Sequence, residues 1–303
     1  MNEKIKTTEG THHFVSPTAK MVAFMRAQSD IPYSAEISRL TGSEEVTNGL
    51  LGTINMEGFG AMLELRYKAL SALVEEEAFK KGVTNIFEFA SGVLPRGIIM
   101  SEDKSVHYLE TDLPDMMSEK QALVKELGVD MSHRNLALET LNVLDGERMN
   151  ELAELLPQGP ICFINEGLLQ YLSLPEKEVA AKNILTILKE RGGLWITPDL
   201  SVAERMREAL RKYPEVAGFL QKINSSTQRD MRANSFGSQE EIIAFFNRIG
   251  FELTEYTQKD LVGELSTLKD ISNIEPNKLE LIKGFTEHSK IWVLRPITPP
   301  NSL

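Results

Sequence analysis

The chain has 303 residues, 42% of them hydrophobic and 25% charged, enough to bury a core without disulfide or metal support. A net charge of −11 argues against a nucleic-acid partner, since phosphate binding needs a basic field. The single cysteine, Cys162, excludes a disulfide framework and a cysteine-based zinc site. No apolar run approaches the ~18 residues of a membrane span, and the polar start MNEKIKTTEGTHH has no apolar stretch of a signal peptide. A cytoplasmic protein with no membrane or nucleic-acid partner is expected.

After a polar segment to Phe14, Ser16 and Pro17 read as the start of a helix carrying Met21, Val22, Phe24 and Met25. A second helical segment is expected around Ala35 to Leu40. A long helix is expected from about Gly60 to Lys81, with Leu63, Leu70, Leu73 and Val74 on its apolar face and Gly82 at its end. An alternation of strands and helices follows. Ile86-Phe87 opens the first strand and meets the small-residue turn Ala90-Ser91-Gly92, where the backbone can approach a ligand closely. Val106 to Leu109 is the second strand and ends in Glu110 and Asp112. Gly92 lies roughly 20 residues before those carboxylates, the spacing at which a βαβ unit sets an acid beside a ribose. The dinucleotide pattern G-x-G-x-x-G is absent.

A helix over about 114–127, a third strand over about 136–143 and a helix over about 147–156 come next, then a fourth strand, Ile161 to Ile164, with Glu166 at its carboxyl end. The amphipathic segment Pro175 to Arg191 stops at Gly192-Gly193, and Leu194 to Thr197 is the fifth strand. At 201–235 the alternation breaks into two helical pieces, about 202–212 and 215–223, which read as an insertion, lid-like over an acceptor or a solvated outwork. Ser238 caps a further helix, and two late strands, Phe251 to Tyr256 and Ile291 to Leu294, complete the pattern. Alternating elements imply an α/β fold with a parallel sheet covered on both faces. The expected division is a helical cap over 1–82 and a core over 83–303, forming one compact domain.

The segments FEFASGVLPRG, YLETDLP and INEGLLQYL, in that order, resemble the leucine carboxyl methyltransferase family. These are class I S-adenosylmethionine-dependent methyltransferases and include the tetracenomycin-type polyketide O-methyltransferases. Members show L-G-x-G-x-D-T-R after the first strand, E-x-D-x-P after the second and E-x-x-L-x-Y after the fourth. Here Ala90 stands for the first glycine, Gly92 for the second and Arg96 for the arginine, while Leu94 and Pro95 replace aspartate and threonine. The resemblance implies a Rossmann-like class I sheet, mostly parallel with a terminal antiparallel strand. It also implies S-adenosyl-L-methionine as cofactor and S-adenosyl-L-homocysteine as product.

Glu88, Gly92, Asp112, Asn142 and Glu166 fall at or just after expected strand ends, where open sheets hold ligands. The resemblance implies Asp112 on the ribose, with Glu110 as the alternative. It implies Arg66 or Arg96 on the methionine carboxylate, Asn142 and Val143 beside adenine, and Glu166 near the ammonium. Asp112, followed by Leu113-Pro114, can also be read as a helix cap. The five histidines lack ligand spacing, so no metal is expected. Acceptor-side candidates are Tyr33, Tyr171, Arg229 and Arg232. The expected reaction is methyl transfer to an oxygen of a small molecule, a carboxylate ahead of a hydroxyl, by a monomer or homodimer, and the resemblance implies a polyketide-like acceptor. The rivals are a non-catalytic cofactor-binding protein of the same fold and a nicotinamide-dependent oxidoreductase.

Overall fold

The computed structural model describes residues 16–51, 59–204, 207, 211, 218, 221–222, 224–225, 231, 233–269 and 276–298. The helices α1 (Ser16–Arg26), α2 (Ser34–Leu40), α3 (Ser43–Leu51) and α4 (Phe59–Glu77) come first. Then β1 (Asn85–Phe89), α5 (Arg96–Met100), β2 (His107–Asp112), α6 (Pro114–Glu126) and β3 (Leu136–Thr140) alternate. The alternation continues through α7 (Gly146–Ala153), β4 (Ile161–Asn165), α8 (Leu174–Arg191) and β5 (Gly193–Thr197). The chain closes with α9 (Gln239–Ile249), β6 (Phe251–Thr257), α10 (Gln258–Leu261), α11 (Pro276–His288) and β7 (Lys290–Pro296).

The sheet has seven strands in the order β3-β2-β1-β4-β5-β7-β6. Neighbours among the first five pair in parallel, and β7 runs antiparallel between β5 and β6. This is the mostly parallel Rossmann-like sheet expected from the sequence. The antiparallel strand is last in the chain but lies one strand in from the edge. The order reverses at β1, whose neighbours are β2 and β4, and that reversal opens a crevice at the carboxyl ends of the three strands.

Every residue of β1 and β4 is buried, as strands with helices on both faces must be. Alternation sorts their side chains between two cores. Phe87, Phe89, Phe163 and Trp195 pack on one face with residues of α7, α8 and α9. Ile86, Cys162, Ile164 and Ile196 pack on the other with Leu70, Leu73 and Val74 of α4. The helix α4 is therefore a layer of the sheet as well as part of the N-terminal helical region. Gly193 allows β5 to start against β4: a Cβ there would fall 2.0 Å from the Ile161 carbonyl oxygen.

The expected third strand is shorter than its sequence suggests, ending at Thr140. Asn142 Oδ1 accepts the N–H of Leu144, and this local turn competes with the ladder. The helix α3 follows Gly42 without having been expected. At the insertion, Ala203 N–H donates to Phe236 O and Phe236 N–H to Ser201 O, so its two ends are tied together. The pieces expected at 202–212 and 215–223 fall mostly outside the described residues. Among the described residues no helix is long and apolar enough to cross a membrane, and no His, Cys, Asp or Glu group could hold a metal ion.

Candidate functional site

The cleft at the carboxyl ends of β1, β2 and β4 is roofed by α1 and α2 and has a volume of about 780 Å³, counting the space open to solvent. The loop after β1 forms its floor. Ala90 has φ +49° and Gly92 φ +51°, so the chain makes two left-handed steps in three residues. Gly92 N–H donates to Asp112 Oδ2 at 2.7 Å, which ties the small-residue turn to the acid after β2. Leu113 N–H takes the other oxygen at 2.7 Å. Each carboxylate oxygen still has accepting capacity. Burial raises the Asp112 carboxyl above its ordinary value, and these two N–H donors oppose the rise.

The opposite wall is built around Glu166, just past β4. Its Oε1 accepts from Arg66 Nε at 2.8 Å and from Arg26 Nη2, and its Oε2 accepts from Arg96 Nη2 at 2.7 Å. Arg96 also donates to Glu88, whose other oxygen accepts from Tyr108 Oη at 2.6 Å. The ring of Tyr67 lies 4.4 Å from the Arg96 guanidinium and 5.5 Å from that of Arg26. Three guanidiniums thus face two carboxylates. Burial alone would raise the Glu166 carboxyl, but Arg26, Arg66 and Arg96 outweigh it and hold Glu166 well below the usual range. Burial pushes Arg26 down to about 10, with Glu166 opposing.

Two buried donors at this cleft have no partner among the described residues: Arg26 Nη1 and Ser91 Oγ. Buried polar atoms are almost always satisfied, so a guanidinium nitrogen and a hydroxyl left open beside a cleft fit a ligand carrying an anionic or accepting group. The loop after β4 is pinned from β5. Asp199 accepts the N–H groups of Gly167, Leu168 and Leu169 at 2.9, 2.7 and 3.1 Å. This fixes the approach to Tyr171, which lines the cleft beside Thr18 and Gln170.

Six residues singled out from the sequence therefore meet at the cleft wall: Arg66, Ala90, Gly92, Asp112, Glu166 and Tyr171. Others stand elsewhere. Glu88 and Arg96 are fully buried behind the wall, each engaged by the other. Arg96 is fully buried, each of its Nη atoms bonds a glutamate, and it does not line the cleft, whereas Arg66 does. Glu110 lies buried against Lys120 and Gly97 rather than at the cleft, so only Asp112 of the acidic pair faces it. Val143 packs in the sheet core and Asn142 closes its turn; neither lines the cleft. Tyr33, with φ +66°, precedes α2 and packs beside Ile37, Val93 and Met116. Arg229 and Arg232 lie outside the described residues. Sequence reasoning missed Arg26, whose one signal was a cation closing the otherwise apolar helix MVAFMR.

No family model matches this chain, and no curated protein matches it. Its fold is similar to two solved structures over nearly the full length of each. One is a DUF574 family protein from Streptomyces avermitilis MA-4680, with TM-score 0.55, 12% identity, 93% of this chain and 97% of that one. Another, from Thermobifida fusca YX, is named as a candidate methyltransferase, with TM-score 0.52, 13% identity, 97% of this chain and all of that one. A structure of PigF with SAH matches 84% of this chain at TM-score 0.45 and 12% identity; the chain spans 58% of PigF's length. At such identities the likeness shows the fold alone, the mostly parallel Rossmann-like α/β sheet described above.

Proposed function

We propose that this chain is an S-adenosylmethionine-dependent O-methyltransferase acting on a small molecule, with a carboxylate as the favoured acceptor and S-adenosylhomocysteine as product. The observation that carries the reading is one cleft, at the strand-order reversal, with an acid after β2 at one end and an open guanidinium nitrogen at the other. Asp112 would accept the ribose hydroxyls with the lone pairs its backbone donors leave over. Arg66, with Arg26 Nη1 and Ser91 Oγ, would hold the methionine carboxylate through charge-assisted bonds. Glu166 holds the arginines in place, its oxygens being taken by three guanidiniums.

The bound cofactor supplies an electrophilic methyl on a sulfonium with a neutral leaving group. The protein's task is then orientation, worth about 7–11 kcal/mol when two reactants are aligned. A carboxylate acceptor is ionised at neutral pH and needs no general base, whereas a phenol or alcohol would. Among the described residues no histidine lines the cleft. Burial raises the phenol of Tyr171 above its ordinary value, which removes it as a neutral-pH base. Both features favour the carboxylate. A polyketide-like acid is one such acceptor.

Calorimetric titration with S-adenosylmethionine, S-adenosylhomocysteine and NAD tests the cofactor. Micromolar binding of the first two, weakened at least about tenfold by Asp112→Ala, is expected, with none for NAD. Binding of NAD alone, or of nothing, overturns the reading.

A further inference from the structure

The loop over 90–97 is gripped from beneath at three points. Asp112 takes Gly92 N–H. Lys120 Nζ, on α6, donates to Leu94 O at 2.8 Å. Glu110 Oε1, on β2, accepts from Gly97 N–H at 3.1 Å. Lys120 Nζ also lies 2.7 Å from Glu110 Oε2, so the last two grips share one ion pair. The fit is tight: a Cβ on Gly97 would fall 2.5 Å from Glu110 Oε1.

This pair is costly where it sits. Lys120 is 1% and Glu110 0% exposed, and a buried ion pair is commonly no better for stability than apolar residues of the same volume. Glu110 is also the register partner of Glu88 on β1, and like charges directly across a sheet repel. Core stability does not account for the pair. Its contacts with the loop do, because Leu94 and the residues from Ala90 to Pro95 line the cleft.

We propose that Lys120, seated on Glu110, is a positioning residue of the cofactor site: it fixes the Leu94 carbonyl, holds loop 90–95 in its cleft-forming shape and thereby sets the affinity for S-adenosylmethionine. The proposal rests on the methyltransferase reading for its ligand but not for its loop. Two readouts on the full chain separate them: cofactor affinity by calorimetry, and amide hydrogen exchange over 90–97 in the free protein, both at a temperature where every variant is fully folded. Lys120→Met leaves Glu110 buried and unpaired, so the double variant Lys120→Met with Glu110→Gln removes both charges and keeps an acceptor for Gly97.

In the double variant cofactor binding should weaken about tenfold, the loss of one charge-assisted hydrogen bond, and exchange over 90–97 should quicken while that of β4 and β5 stays unchanged. Binding within twofold of the wild type (~0.4 kcal/mol) with unchanged exchange would overturn the proposal. So would weaker binding accompanied by faster exchange throughout the sheet, which marks a general structural loss. If the wild type binds no S-adenosylmethionine, the functional reading fails, and exchange over the loop alone decides the role of Lys120.

Discussion

Ala90 offers the most direct test of how the cleft is built. Its φ of +49° lies in the left-handed region, where a non-glycine residue costs about 1–2 kcal/mol. The resembling family carries glycine at this place. Replacing Ala90 by glycine relieves that strain and adds about 0.5–1 kcal/mol of backbone entropy to the unfolded chain. The difference is a net stabilisation on the order of 0.5–1 kcal/mol. For 303 residues the unfolding entropy is about 0.6 kcal/mol/K, so the melting midpoint should rise by about 1–2 °C. Differential scanning calorimetry on Ala90→Gly and the wild type reads this directly. Because the Ala90 side chain borders the cleft, cofactor titration of the same variant reports whether that methyl also limits binding. Tightening by tenfold or more (about 1.4 kcal/mol) would show that the native methyl crowds the cofactor, whereas strong binding by the wild type with no turnover on any acceptor would favour the non-catalytic binding protein. A midpoint lowered by about 1 °C or more would refute the reasoning, because Ala90 would then carry no strain worth relieving.

Two further perturbations follow from the buried charges. Glu166→Gln leaves Arg26, Arg66 and Arg96 without their shared carboxylate; breaking such a buried pair costs about 3–5 kcal/mol, so thermal unfolding followed by circular dichroism should shift down by about 5–8 °C. A shift below about 1 °C would mean that the network is not formed. Lys177 donates to the carbonyls of Leu172 and Asn234, and burial pushes its ammonium down to about 8, against about 10.4 in an unfolded chain. Between those values the unfolded state binds more protons, so this group makes stability rise with pH across about 8 to 10. Urea unfolding at about pH 7.5 and 9.5 should show a gain on the order of 2 kcal/mol that Lys177→Met abolishes; an equal gain in the variant would refute the assignment.

What the sequence disclosed, and what it hid, divides by the range of the interactions. The strands β1, β2 and β4 were legible because burial on both faces writes them as short apolar runs, and the link between Gly92 and Asp112 was legible because a βαβ unit repeats its length: the two residues are 20 apart and do hydrogen-bond. The position of Glu166 just past the fourth strand marked it as a cleft residue, and the resemblance added Arg66, which periodicity alone would have left as a surface charge. The partner of Glu166 on α1 was hidden, since Arg26 lies 140 residues away and an ion pair leaves no periodic trace. Glu110 and Asp112 looked interchangeable for a reason of the same kind. Their spacing of two residues puts them on one face of β2, and only the place of α6 decides that Lys120 meets the first and not the second. Local pattern thus located the cleft, while the charges in and behind its wall were assembled by contacts between elements distant in the chain. Substitutions among Arg26, Glu166, Glu110 and Lys120 therefore probe what the sequence could not disclose, and the couplings of Arg26 with Glu166 and of Glu110 with Lys120 should depart from additivity because each pair is in direct contact.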